Sequence, residues 1–100
     1  MSLDIFVACA AAVVLPRDLP QDVSWKAWDA DTFSAGKTDE EWIVEVWLVK
    51  DPRELEQINP PAEKPWVVGL SLGGNDDEGF ALLERTYEAI STKCDGTLLD

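Results

Sequence analysis

Residues 65–100 constrain the fold more than any other stretch, because five folding signals follow one another without a gap. After Pro65, the residues Trp66, Val68, Leu70 and Leu72 fall on one side of a period-two pattern, and Val67, Gly69 and Ser71 fall on the other. That alternation predicts a strand over 66–72. Gly73 and Gly74 end it. Asn75 then stands where a helix cap belongs, with Glu78 three residues on, as in a capping box. Asp76, Asp77 and Glu78 place negative charge at the positive end of the helix dipole. Phe80, Leu83, Tyr87, Ile90 and Cys94 recur at spacings of three and four, which puts them on one helix face. Each large apolar side chain on such a face contributes about 1.5–3 kcal/mol when fully buried. Lys93 suits the helix end, Gly96 suits a left-handed stop, and Thr97-Leu98-Leu99 reads as a short closing strand.

The rest of the chain supplies strands for this unit to pack against. A length of 100 residues, 46% of them hydrophobic, supports one domain over 1–100 with a modest core. Residues 4–14 are apolar on both alternations, which predicts a central strand. Their alanines leave helix as a competing reading, and Ile5, Phe6, Val7 and the stop at Pro16 favour strand. Residues 16–23 carry two prolines and read as loop or one helical turn. Residues 24–33 suit a short helix or, better, a strand, because Ala35-Gly36-Lys37-Thr38-Asp39 looks like a hairpin loop. Residues 41–50 predict a strand with Trp42, Val44, Val46 and Leu48 on its apolar side. Asp51-Pro52-Arg53-Glu54 starts a short helix that Asn59-Pro60-Pro61 stops. The expected class is α+β: a small mixed sheet with one main C-terminal amphipathic helix packed on one face.

Composition then excludes whole classes of function. Asp and Glu number 20 against 8 Lys and Arg, for a formal net charge of −12. Direct nucleic-acid binding needs the opposite sign, as does docking on an anionic membrane. The chain has no histidine, the commonest general base and metal ligand. Cys9 and Cys94 lie in apolar patterns, so two buried, reduced thiols are expected, with a disulfide between them as the alternative. The apolar run Ile5 to Leu15 carries Asp4 instead of a positive leader and is too short to cross a membrane. A cytoplasmic protein is expected.

No stretch has the spacing of a catalytic or cofactor motif. The turn Gly73-Gly74-Asn75-Asp76-Asp77-Glu78-Gly79 sits where phosphate loops sit, but its acids repel phosphate. Asp29-Ala30-Asp31 resembles the start of a calcium loop, yet Phe33 and Ser34 occupy the next ligand and glycine positions. Nothing marks two carboxylates for glycosidase chemistry. The expectation is therefore a binding protein with no enzyme activity, no cofactor and no metal. Its candidate contact face is the segment that interleaves Trp28, Asp29, Asp31, Asp39, Glu40, Glu41, Glu45 and Trp47. Aromatics there supply anchor energy, and acids supply steering toward a basic partner. The plainer reading makes the aromatics, Trp42 above all, core residues with solvated acidic neighbours. Asp76, Asp77 and Glu78 form a second candidate patch.

The stretch Trp66-Val-Val-Gly-Leu-Ser-Leu72, the helix Phe80 to Ile90 and the ending Gly96-Thr-Leu-Leu-Asp100 together resemble the ends of small acidic bacterial proteins that include immunity proteins of toxin systems. The resemblance is a packing pattern over the last third of the chain and transfers no functional residue. It implies an immunity protein that binds a cognate toxin enzyme and blocks it with an acidic face. Two other classes stay open: a phage-encoded, anti-CRISPR-like inhibitor that mimics nucleic acid, and a structural or assembly subunit.

Overall fold

The computed structural model describes residues 2–36, 42–73 and 77–99. Along the chain run β1 (Ser2–Cys9), β2 (Lys26–Ala27), β3 (Thr32–Gly36), β4 (Trp42–Val49), α1 (Pro52–Ile58), β5 (Trp66–Gly73), α2 (Asp77–Cys94) and β6 (Gly96–Leu99). The strands form one sheet in the order β2-β3-β4-β5-β1-β6. The fold is α+β, with α2 packed on the sheet against β5, β6, β1 and β4. Every pairing is antiparallel, so the sheet is not mixed between neighbours. The two strands that flank α2 in sequence, β5 and β6, run parallel but lie one apart with β1 between them.

Alternation decides which face is core. Ile5↔Leu70↔Val46↔Phe33 and Val7↔Val68↔Leu48 are cross-strand rows pointing at α2. Val7, Cys9, Val44, Val46, Val68, Leu70 and Leu72 close over Leu83, Ile90 and Cys94 of the helix. Thr86 sits in the same core and settles its hydroxyl by donating to the Leu82 carbonyl oxygen at 2.7 Å. Phe80, expected on the buried face, is 46% exposed.

Several local expectations are corrected. The first strand ends at Cys9, not at Val14. The Ala10 and Ala11 amides donate instead to the Asp95 and Cys94 carbonyls at the end of α2, which draws the chain off the sheet. Residues 24–33 are not one strand. They break at 28–31, where the Asp31 amide donates to Asp29 Oδ1 and the Trp28 amide to the Thr32 carbonyl, so Ala35 and Gly36 are strand and not loop. Asp95, at φ 52°, takes the left-handed position assigned to Gly96. Gly96 is needed for space: a Cβ there would stand 2.8 Å from Val7 Cγ1. Helix α1 begins as expected, with Asp51 accepting from the Arg53 amide at 2.9 Å and Pro52 in the first turn.

Residues 10–25 pack beside α2 and put Val13 and Leu19 into the core. Lys93 Nζ donates to the Arg17 carbonyl at 3.2 Å, and Arg85 pairs with both oxygens of Asp22 at 2.5 and 2.6 Å. Asp18 is the buried anchor of this segment, only 3% exposed. It accepts from the Val14 amide at 2.8 Å, from Arg17 Nε at 3.2 Å and from the Cys94 thiol at 3.4 Å. Burial works against its ionisation, but those three donors outweigh burial and hold the carboxyl below its ordinary value of 3.8. The stabilisation it gives is complete above that unfolded value and is lost as pH falls through the lower native value. Asp18→Asn is expected to cost about 1–3 kcal/mol at neutral pH, with the deficit shrinking below pH 3.8. Urea unfolding at neutral and acid pH checks this; a deficit that stays constant with pH contradicts it.

Candidate functional site

The face of the sheet turned away from α2 carries the candidate site. Helix α2 packs on the other face, and α1 borders this one only at its end, where Leu55 lies with Val49, Trp66 and Val67 around a pocket. Two rows cross it in register. One is polar: Lys26↔Ser34↔Glu45↔Ser71↔Asp4. Beside it, Thr32↔Trp47↔Gly69↔Phe6↔Leu99 forms a row centred on two aromatics.

The aromatic row exists because β5 has a glycine at its centre. The Trp47 indole lies across Gly69, so close that a Cβ there would overlap Cε2 and Cζ2 and stand 2.7 Å from Nε1. A strand glycine commonly marks such a close approach. Phe6, on the other side of Gly69, meets the indole edge-on at a centroid distance of 6.1 Å and an interplanar angle of 88°. Both rings remain partly open to solvent. In the polar row, Ser71 Oγ donates to Asp4 Oδ1 at 2.6 Å, fixing that carboxylate beside the aromatics. Glu45 stands on the far side of Ser71, partly exposed.

One end of this face is closed. Lys64 reaches across to the Thr97 hydroxyl and lies 3.7 Å from Asp95, near the row in which Val67 and Ala8 are buried. Trp28 extends the face at the other end. Its Nε1 donates to Ser34 Oγ at 2.8 Å, the Lys26 ammonium lies 4.6 Å from its ring centre, and 54% of it is exposed.

The structure therefore brings together Trp28, Glu45 and Trp47 of the expected contact segment. Trp47 packs on a strand and an aromatic. Asp29 and Asp31 sit apart in the β2–β3 turn. Asp29 is spent on the turn amide, and Asp31 is neutralised by Lys50 at 3.0 Å. Asp77 and Glu78 open α2, which packs on the opposite face, so they do not join this site. Asp39, Glu40, Glu41 and Asp76 lie outside the described residues, as does the side chain of Trp42. Phe6, Asp4 and Ser71 were missed because 4–14 reads as uniformly apolar and Ser71 as a plain strand serine. The available signal was Gly69 in mid-strand opposite a tryptophan.

What the arrangement offers is contact surface, a partly exposed aromatic pair beside two carboxylates. Burial, then the neighbouring Cys94, pushes the Cys9 thiol up to about 12, and burial with the Asp18 hydrogen bond pushes Cys94 up to about 11. Both are free and buried, hence protonated and shielded. Among the described residues no group of three His, Cys, Asp or Glu is gathered for a metal, and no helix is long and apolar enough to cross a membrane. Comparison with protein-family models, with curated proteins and with solved structures finds no match.

Proposed function

We propose that the protein is an inhibitory binding module that masks a basic surface of a partner protein, and that it serves as an immunity protein against a toxin enzyme in the bacterial cytoplasm. The observation that carries this reading is the half-open Trp47–Phe6 pair flanked in register by the carboxylates of Asp4 and Glu45. An aromatic centre with a charged margin is the anatomy of a protein-binding hot spot. The net charge of −12 adds long-range attraction for a basic partner and raises the association rate at low salt. Nucleic-acid mimicry is less well served, since a phosphate-like surface has no use for an aromatic row beside its acids.

The test is capture of the partner on tagged protein from the source cells, followed by assay of the captured enzyme with and without added protein. The expected result is one stoichiometric enzyme that the protein inhibits. Glu45→Lys is expected to slow its association about tenfold and to flatten the salt dependence. Release of the partner by added DNA or RNA would favour mimicry instead, and recovery of the bait alone would contradict the binding role.

A further inference from the structure

A cavity lies at the end of the sheet where β4 stops and β5 begins. Val49 and Val67 pair in register there, Lys50 extends the wall on one side, and Pro65 and Trp66 extend it on the other. Leu55 of α1 closes it from outside. Its volume is about 310 Å³, at the small end of the range for small-molecule sites. Residues 37–41 and 74–76 join the strands at their opposite end, after Gly36 and Gly73.

The sequence of the connection through α1 explains why this space persists. The helix is seven residues long and buries none of them, so Leu55 is only partly covered. Asn59, at φ 52°, turns the chain out of the helix, and Pro60, Pro61 and Pro65 stiffen the return to β5. That return is pinned. The Lys64 amide donates to the Pro61 carbonyl at 3.0 Å, and the Lys64 side chain reaches the Thr97 hydroxyl of β6 and lies 3.7 Å from Asp95. At the start of the helix, Asp51 caps the Arg53 amide. A connection held at both ends cannot settle further onto Val49 and Val67. The walls are preformed, and binding between them does not carry the cost of ordering a loop.

The chemistry of the walls sets the class of ligand. Leu48, Val49, Leu55, Pro65 and Val67 are aliphatic, and Trp66, 48% exposed, offers an aromatic face. Aromatic rings gain from stacking on such a face beyond the area they bury. Among the described residues, Lys50 is the only charged one in the wall. Its ammonium pairs with Asp31 at 3.0 Å, and Asp31 is held there because its carbonyl accepts from the Leu48 amide at 3.0 Å. An ammonium has three donors, of which Asp31 takes one. A carboxylate ligand would compete with Asp31 inside the field of a chain of charge −12. A cation would meet Lys50 and no wall carboxylate. What fits is an uncharged molecule that fills the space with an apolar ring and carries one acceptor.

We propose that this cavity binds a small uncharged aromatic molecule with one ketone, ester or amide oxygen. The ring packs against Trp66 and the Val49–Val67 pair under Leu55, and the oxygen accepts from Lys50 at the mouth. The site shares no side chain with the Trp47–Phe6 face, so either reading can fail without the other.

The test titrates the full chain, isotopically labelled, with benzylacetone, an uncharged aromatic ketone. Phenylbutyrate, similar in shape but anionic, is the control. The expected result is saturable chemical-shift change centred on Val49, Leu55, Trp66 and Val67. Binding should be about tenfold weaker for phenylbutyrate and about threefold weaker for Lys50→Met, whose lost hydrogen bond is open to water. Leu55→Trp fills the cavity from a helix that buries nothing, so the fold is kept, as unchanged shifts in β1 and α2 will verify, and saturable binding should vanish. Undiminished binding by Leu55→Trp would overturn the proposal, as would shifts centred on Trp47. Equal binding of phenylbutyrate would overturn the assignment of an uncharged ligand. A wild-type protein with no saturable shift would also overturn it, and loss of a captured partner from Leu55→Trp would then assign the cavity to an apolar side chain of that partner.

Discussion

Leu70→Ala is expected to lower the free energy of unfolding by about 2–5 kcal/mol, the largest stability loss of any single truncation proposed for this chain. Leu70 is fully buried at the centre of the core, in register between Ile5 on one side and Val46 on the other. Its removal leaves a cavity under α2 that strands held in two ladders cannot collapse to fill. A domain of this size has about 5–15 kcal/mol in total, so the loss is a large fraction of the whole. Urea denaturation measures it directly. Partner binding by the molecules that remain folded should not change, because Leu70 faces away from the proposed contact surface. A loss below about 1 kcal/mol would mean that the core is looser than its burial indicates.

The neighbouring residue should behave in the opposite way. Gly69→Ala puts a methyl group into the space that the Trp47 indole occupies, and the indole must leave. The expected stability cost is about 1–3 kcal/mol, from overpacking and the lost edge contact with Phe6. The cost to binding should be greater. Displacing a central aromatic anchor removes at least about 2 kcal/mol of affinity, roughly thirtyfold in Kd. A double-mutant cycle makes the cause explicit. Combined with Trp47→Ala, Gly69→Ala should destabilise much less than it does alone, because the clash has gone. Simple additivity would show that the two residues do not compete for the same space. Leu70 and Gly69 are adjacent in sequence, and strand alternation makes one a core residue and the other the floor of a surface site.

What the sequence reveals follows the same division. Regular elements whose signals are local were legible: the Asp51-Pro52 start of α1, the alternation of β5 and the three-four spacing of α2. Elements decided by distant contacts were not. Nothing local in Ala10-Ala11-Ala12 says that their amides will meet the end of α2. Nor does the three-four spacing of α2 say that Phe80, unlike Leu83 and Ile90, stays 46% exposed. The site was half legible. Trp28, Glu45 and Trp47 share a face because β2, β3 and β4 are sequential hairpin strands. Phe6 and Asp4 join them only because β1 inserts between β5 and β6. Counting acids also overstated the segment, since hydrogen bonding and ion pairing commit Asp29 and Asp31 locally.

That the open face of the sheet holds the partner is a proposal with a direct test. It is tested most directly by capturing the partner side by side on wild-type protein and on Trp47→Ala and Glu45→Lys variants, each first shown by thermal melting to be folded. Wild type is expected to retain the partner, Trp47→Ala to lose it, and Glu45→Lys to keep it only at low salt. Retention by Trp47→Ala at the wild-type level would rule out the open face and place the contact elsewhere on the molecule.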